Sequence, residues 1–312
     1  MKHQNNGLVV KNLRKTYREG QLVALEDISL EVEPGELFGI LGPDGAGKTT
    51  LFRLLTTLLL PDKGEAWVAG EHILDDLWTI RKIVGYMPGR FSLYQDLSVI
   101  ENLNFFATVF HTTVEENYHL IADIYDQLAP FKDRPAGKLS GGMKQKLALC
   151  CALVHEPQIL FLDEPTTGVD PVSRREFWDM LDRLKAKGIT IIVSTPYMDE
   201  AGRCDRIALL QEGRLLDVDT LEGMIDKHRR PLWAVRGEDM YQLLQDLRDY
   251  PATESCLAFG DTHHLSLVDE SMGTEEVARF LTDRGHLGFS LEAITPSIED
   301  TFIRLMQKED QS

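Results

Sequence analysis

Gly42-Pro43-Asp44-Gly45-Ala46-Gly47-Lys48-Thr49 fits G-x-x-x-x-G-K-[ST] at every fixed position. Its glycines let successive backbone N–H groups curl around phosphate oxygens. Lys48 is placed to reach the β- and γ-phosphates of a nucleotide, and the Thr49 hydroxyl to ligate Mg²⁺. Further on, Ile159-Leu160-Phe161-Leu162-Asp163-Glu164 ends an apolar run in two carboxylates. Ligands of open α/β sheets sit at the carboxyl ends of the strands. Asp163 is therefore a candidate to hold Mg²⁺, directly or through water, and Glu164 to orient and deprotonate an attacking water. Between these two elements lies Leu139-Ser140-Gly141-Gly142-Met143-Lys144-Gln145. Ser140 is a good N-cap, and the glycines expose N–H groups, so this is a second anion site. One phosphate loop and two anion sites fit together if two copies face each other head to tail, each covering the other's nucleotide.

Alternating apolar and polar residues over 27–33 predict a half-buried strand, and Glu36–Leu41 a short buried one that runs into the phosphate loop. The helix behind the loop opens at Lys48-Thr49-Thr50 and carries Leu51, Leu54, Leu55 and Leu58 on one face. Glu65–Ala69 reads as another strand, 99–154 as a largely helical region, and Gln158–Leu162 and Ile189–Ser194 as continuous apolar strands. Such runs separated by helices mark a buried parallel sheet. Residues 207–218 read as a hairpin turning at Glu212-Gly213. Asp226-Lys227-His228-Arg229-Arg230-Pro231 marks a boundary that separates residues 1–230 from 231–312. Beyond it the expected order is strand, helix, two strands, helix, strand and a final helix, a small α+β module of ferredoxin-like type.

The 312 residues suffice for two domains and a large core without disulfides. Net charge is −17, and residues 231–312 alone hold 6 Lys/Arg against 16 Asp/Glu. Such acidity argues against nucleic acid as a partner and against adhesion to an anionic membrane surface. Cys150, Cys151, Cys204 and Cys256 form no CxxC, and read as buried reduced thiols of a cytosolic protein. His263-His264 are neighbours in a strand, face opposite sides, and read as surface residues. Met1–Asn6 lacks an apolar leader core, and the apolar stretches 51–60 and 147–154 fall short of the ~20 residues a bilayer requires. Any membrane-spanning part is expected from another chain.

Over residues 7 to about 225 the chain resembles the ATP-binding subunits of ABC transporters. The resemblance rests on the phosphate loop, on Leu139–Gln145 as the signature, and on Ile159–Glu164. It implies a P-loop α/β domain with a parallel-sheet core, an antiparallel β subdomain and a helical subdomain at about 95–154. ATP and Mg²⁺ are the implied ligands. The implied ATP-binding set is Tyr17, stacked on adenine, with Gly42–Thr49 and Thr50; Lys48 and Glu164 are the catalytic pair; Thr49 and Asp163 hold the metal. Gly168-Val169-Asp170-Pro171 looks like the loop linking the two sites of a dimer. Tyr197–Ala201 and Thr295–Phe302 resemble the bacterial ABC-2 export branch. Implied partners are an ABC-2-type transmembrane permease and a second ATPase domain, identical or not, with the chain peripheral on the inner face of the membrane. The permease is expected to dock near Arg90–Glu101, where Phe91, Leu93 and Tyr94 serve either that contact or the core.

Two positions depart from the family. Gly89 stands where a glutamine senses Mg²⁺ and water, and Pro196 where a histidine contacts the γ-phosphate. Neither offers a side-chain donor. Three readings stay open: an exporter ATPase, whose own site either hydrolyses well enough with Glu164 alone or is slow while its signature serves a partner; an ATP-sensing subunit with little turnover; and an ABC ATPase without a transporter.

Overall fold

The computed structural model describes residues 7–18, 20–227, 230–269 and 274–309, with side chains described through residue 307. Met1–Asn6 and the His228-Arg229 part of the predicted boundary lie outside them. The chain divides into two compact units, Met1–Leu221 and Glu222–Ser312.

In chain order the first unit comprises β1 (Leu8–Tyr17), β2 (Leu22–Val32), β3 (Leu37–Leu41), α1 (Lys48–Leu55), β4 (Lys63–Val68), β5 (Glu71–His72), α2 (Leu77–Ile83) and β6 (Val84–Met87). There follow α3 (Val99–Val109), α4 (Tyr118–Leu128), α5 (Gly141–Leu153), β7 (Ile159–Asp163), α6 (Pro171–Ala186), β8 (Thr190–Thr195), β9 (Arg206–Gln211) and β10 (Arg214–Asp219). An antiparallel sheet runs β2-β1-β4-β5, and a six-stranded sheet runs β10-β9-β3-β8-β7-β6. In the latter β9, β3, β8, β7 and β6 are parallel, and β10 is an antiparallel edge.

Side chains alternate across a strand, so β3, β7 and β8 feed two cores. Phe38, Ile40, Ile159, Phe161 and Ile192 pack with α1 and the antiparallel sheet. Leu37, Leu160, Leu162, Ile191 and Val193 pack with the helical layer on the other face. In α5, Leu147 and Leu149–Leu153 are all buried, which accounts for its uninterrupted apolar run. Among the described residues no helix is long and apolar enough to cross a membrane.

In the first unit one expectation is corrected and one unassigned strand appears. Helix α1 ends at Leu55, where the Thr56 hydroxyl donates to the Phe52 carbonyl at 2.8 Å and Thr57 takes φ +59°; Leu58 therefore leaves the helical face and is 58% exposed. Strand β1, unassigned by periodicity, is bulged between Val10 and Leu13, with Asn12 at φ +50°, and the bulge breaks its alternation. The four cysteines are free, and burial pushes the thiols of Cys150, Cys151, Cys204 and Cys256 up.

The second unit contains β11 (Leu232–Arg236), α8 (Met240–Asp249), β12 (Thr253–Phe259), β13 (Thr262–Leu267), α9 (Thr274–Asp283), β14 (Ser290–Ile294) and α10 (Ile298–Glu309), preceded by α7 (Leu221–Lys227) across the division. The sheet order is β12-β13-β11-β14 with every pair antiparallel. This is the β-α-β-β-α-β element order expected of a ferredoxin-like module. The histidine pair is not at the surface as expected. His263 is buried and its Nε2 meets the Met240 carbonyl at 2.7 Å, while His264 Nδ1 pairs with Asp300 at 2.7 Å. The predicted alternation of the two rings holds, but α8 and α10 supply polar partners on both sides.

Buried Asp246 accepts from Arg284 Nη1 at 2.8 Å, His286 Nε2 at 2.8 Å and Gln242 Nε2 at 3.1 Å. Burial alone would raise its carboxyl; the bonds from His286 and Gln242 and the Arg284 charge outweigh it and hold it below the ordinary 3.8. A depressed carboxyl contributes stability above its unfolded value and loses it as pH falls through the folded one. Unfolding of the full chain, followed by NMR at α8 from about pH 5 to about pH 2, is expected to show this acid limb, and Asp246→Asn to flatten it.

Candidate functional site

Strand β3 delivers the chain into the phosphate loop, whose shape only glycine permits at two positions. A Cβ on Gly42 would lie 2.1 Å from the Leu210 carbonyl oxygen. Gly47 takes φ +109°, and a Cβ there would meet the Ala24 carbonyl oxygen at 2.6 Å. Gly47 caps α1, so Lys48, Thr49 and Thr50 open a helix whose first N–H groups face the loop. The Lys48 ammonium, 3% exposed, donates to the carbonyls of Gly42 at 2.8 Å and Pro43 at 2.9 Å. Its third partner is Glu164 Oε1 at 3.0 Å. The ammonium thus bonds two loop carbonyls and is ion-paired with Glu164, and the two predicted catalytic residues are in contact.

Glu164 follows β7 at φ +50°, a left-handed turn uncommon for a residue with a side chain. Its N–H is held by the Ser194 carbonyl and hydroxyl, both at 3.1 Å. The Ser194 hydroxyl donates in turn to Asp163 Oδ1 at 2.8 Å. Asp163 is 2% exposed, and among the described residues Ser194 is the one side chain hydrogen-bonded to its carboxylate. Burial and then the Asp163 charge push the Tyr86 phenol up to about 12.

Tyr17, Gly45, Gly47, Lys48, Thr49, Thr50 and Glu164 line one cavity of about 250 Å³. The Tyr17 hydroxyl lies 3.4 Å from the Thr50 hydroxyl. Leu22, Val23 and Ala24 complete the wall, with Leu22 52% and Val23 38% exposed. Sequence reasoning missed these three; the available signal was an apolar pair just ahead of the alternating β2 pattern.

Leu139–Gln145 does not line this cavity. Leu139 is buried, and Ser140 caps α5 by accepting from the Met143 N–H at 3.4 Å. Gly142 abuts α6, where a Cβ would meet Ser173 Oγ at 2.7 Å. The Lys144 ammonium sits 5.5 Å from the centre of the Phe91 ring. Asp170 caps α6 through the N–H groups of Val172 at 3.2 Å and Ser173 at 3.0 Å, and a Cβ on Gly141 would lie 3.7 Å from the Gly168 carbonyl oxygen, so the signature and the Gly168–Pro171 loop adjoin within one chain. Gly89 faces the carboxylate strand: its Cβ would stand 3.0 Å from the Asp163 carbonyl oxygen. Phe91 and Leu93 pack on the core, whereas Tyr94 is 50% exposed.

A family profile described as ABC transporter matches residues 25–167. The probable multidrug ABC transporter ATP-binding protein YbhF of Escherichia coli (strain K12) is 38% identical over 307 residues, 97% of this chain and 52% of that protein. The chain thus spans about half the length of that relative. Nod factor export ATP-binding protein I of Rhizobium sp. (strain N33) is 36% identical over 294 residues, 93% of this chain and 94% of that one. A solved dimeric ATP-binding cassette in a post-hydrolysis state, bound to ADP and Pi, superposes with TM-score 0.62 at 27% identity, over 69% of this chain and 98% of its own.

The loop geometry makes Gly47→Ala informative. Forced left-handed backbone costs of order 1–3 kcal/mol, which is about five- to 150-fold in affinity. Titration with a fluorescent ATP analogue is expected to show a loss of that size, while the thermal transition of the second unit stays in place.

Proposed function

The chain belongs to the family of ABC transporter ATP-binding subunits, and on that premise we propose that it is the ATP-hydrolysing subunit of a membrane exporter. The observation that carries this reading is the Lys48–Glu164 contact of 3.0 Å at the cavity that Tyr17 and Thr49 also line. It puts a phosphate-binding cation and a candidate base at the same point.

The phosphate loop and the α1 N-terminus bind the triphosphate through backbone N–H groups. Tyr17 stacks on the adenine, with Leu22 and Val23 giving it an apolar wall. Lys48 donates to two loop carbonyls and is ion-paired with Glu164, so a phosphate oxygen that takes its remaining donor displaces Glu164. The released carboxylate is then free to orient a water and take its proton. The Thr49 hydroxyl and the Asp163 carboxylate are hard oxygen donors suited to Mg²⁺. When bound, that ion neutralises charge on the β- and γ-phosphate oxygens. Ser194 orients Asp163 and simultaneously holds the Glu164 N–H, so one hydroxyl positions both acids.

In a head-to-tail dimer the capped α5 N-terminus at Ser140-Gly141-Gly142 covers the partner's ATP. ATP closes the dimer and hydrolysis reopens it. An apolar cleft of about 350 Å³ lined by Leu58, Met87, Pro88, Leu93, Phe106 and Val109 supports docking of a permease segment. The exposed Tyr94 lies in the 90–101 stretch beside it. In this reading the permease is of the ABC-2 type and the subunit sits on the inner face of the membrane.

Gly89 and Pro196 weaken this chain's own site, and its signature serves a partner's competent one. Restoring one transition-state donor is worth ~10²–10³ in rate. The test is the ATPase rate of the reconstituted complex carrying Gly89→Gln and Pro196→His together. The Gly89 Cβ position, 3.0 Å from the Asp163 carbonyl oxygen, requires only a shift of a few tenths of an ångström. A rise of ~10² or more is expected. An unchanged rate sinks the weakened-site reading, and ATP binding without turnover in every variant favours the ATP-sensing alternative.

A further inference from the structure

Glu200 takes no part in the chemistry above, yet it is the most heavily bonded carboxylate near the site. Its side chain is 4% exposed. The Thr166 hydroxyl contacts Oε1 at 2.9 Å and Oε2 at 3.2 Å. Arg174 donates to Oε1 from Nε at 3.2 Å and from Nη2 at 3.0 Å, and the Thr195 hydroxyl donates to Oε2.

These donors come from three places that the site must keep in register. Thr166 is two residues beyond Glu164. Thr195 ends β8 beside Ser194, and its carbonyl accepts from the Gly42 N–H at 3.3 Å. Arg174 lies in the first turn of α6, and its N–H bonds the Asp170 carbonyl at 2.9 Å. The guanidinium is itself fixed, lying 4.3 Å from the centre of the Tyr197 ring and bonded to Asp199 at 3.3 and 3.4 Å. The carboxylate therefore ties together the turn after β7, the end of β8 and the start of α6.

Stability is a poor explanation for this arrangement. Burying an ion pair costs desolvation that well-packed apolar side chains avoid, and such pairs are often replaceable without loss. Apolar packing is non-directional, whereas four donor hydrogens on one carboxylate, the Thr166 hydroxyl shared between both oxygens, fix both distance and angle.

We propose that Glu200 is a positioning residue for hydrolysis. Together with Arg174 it clamps residues 164–171, so that Glu164 and the Gly168–Pro171 loop hold a common geometry. Glu200 lines neither the nucleotide cavity nor the phosphate loop, and it acts through Thr166, Arg174 and Thr195. The turnover arm of the test rests on the exporter reading; the exchange arm does not.

The test uses the full chain with Glu200→Gln, Arg174→Met and the double variant. Removing one partner leaves a buried charge unpaired, while removing both relieves it. The single variants are thus expected to melt earlier and the double variant to regain most of that loss. All three are expected to show amide exchange of Thr166–Asp170 faster by about tenfold. In the complex with the permease, kcat is expected to fall about tenfold at unchanged KM, with affinity for a fluorescent ATP analogue unaltered. A double variant that regains slow exchange and full kcat along with its melting temperature overturns the proposal, because the pair is then structural only. Wild-type exchange rates in Glu200→Gln overturn it as well. A wild-type complex with no turnover counts against the exporter reading, and the exchange data then decide the clamp by themselves.

Discussion

Three parallel strands ending at one edge in fixed register are the constraint on which the rest of the site depends. Leu41 of β3 is level with Thr195 of β8, and Asp163 of β7 is level with Ser194. Side chains alternate along a strand, so a one-residue slip would turn Asp163 into the core and bring an apolar residue to the cleft. Two apolar layers prevent such a slip. Phe38, Phe161 and Ile192 are locked on one face, and Leu37, Leu160 and Val193 on the other. Register, set by packing far from any phosphate, is what places a hydroxyl at 2.8 Å from Asp163 and a lysine at 3.0 Å from Glu164.

Much of this was legible in the sequence because it depends on local rules. The phosphate loop is legible because close backbone approach admits only glycine at positions such as Gly42, where a carbonyl oxygen lies 2.1 Å from the Cβ position. The apolar runs of β7 and β8 are legible because both faces of a parallel sheet are covered. The α+β order of the second unit is legible from its periodicity. What was illegible depends on tertiary partners. Glu200 sits in a polar stretch, and nothing local says that Thr166 and Arg174 converge on it. The bulge in β1 hides a strand by shifting its phase. His263 looks like a surface residue until the Met240 carbonyl appears beside it.

The site also shows how a buried polar edge is made affordable. Asp163, Ser194, Thr195, Thr166 and Glu200 are all nearly inaccessible to water. An unpaired polar group in such a place costs about 1–3 kcal/mol, so each must be matched. The hydroxyls do this by bonding to carboxylates on either side of the turn: Ser194 to Asp163, and Thr195 and Thr166 to Glu200. The strained φ of Glu164 is tolerated in the same way, since Ser194 holds its N–H with two acceptors.

The two departures at Gly89 and Pro196 fall at the rim of this matched edge rather than within it. Gly89 lies against the Asp163 carbonyl, and Pro196 follows Thr195, whose own bonds are intact. Changes at these positions therefore leave the cradle, the acids and their supports unaltered. Binding of a nucleotide draws on the glycine loop and Lys48, whereas speed of hydrolysis draws on donors that face the terminal phosphate. The two sets of contacts are distinct, so the first does not depend on the second. The same chain still presents a capped α5 N-terminus, because that element depends on Ser140 and on the packing of Gly142 against Ser173, neither of which involves the rim. Retention of the Ser140 cap and change at the rim are therefore physically separable, because the two draw on different contacts.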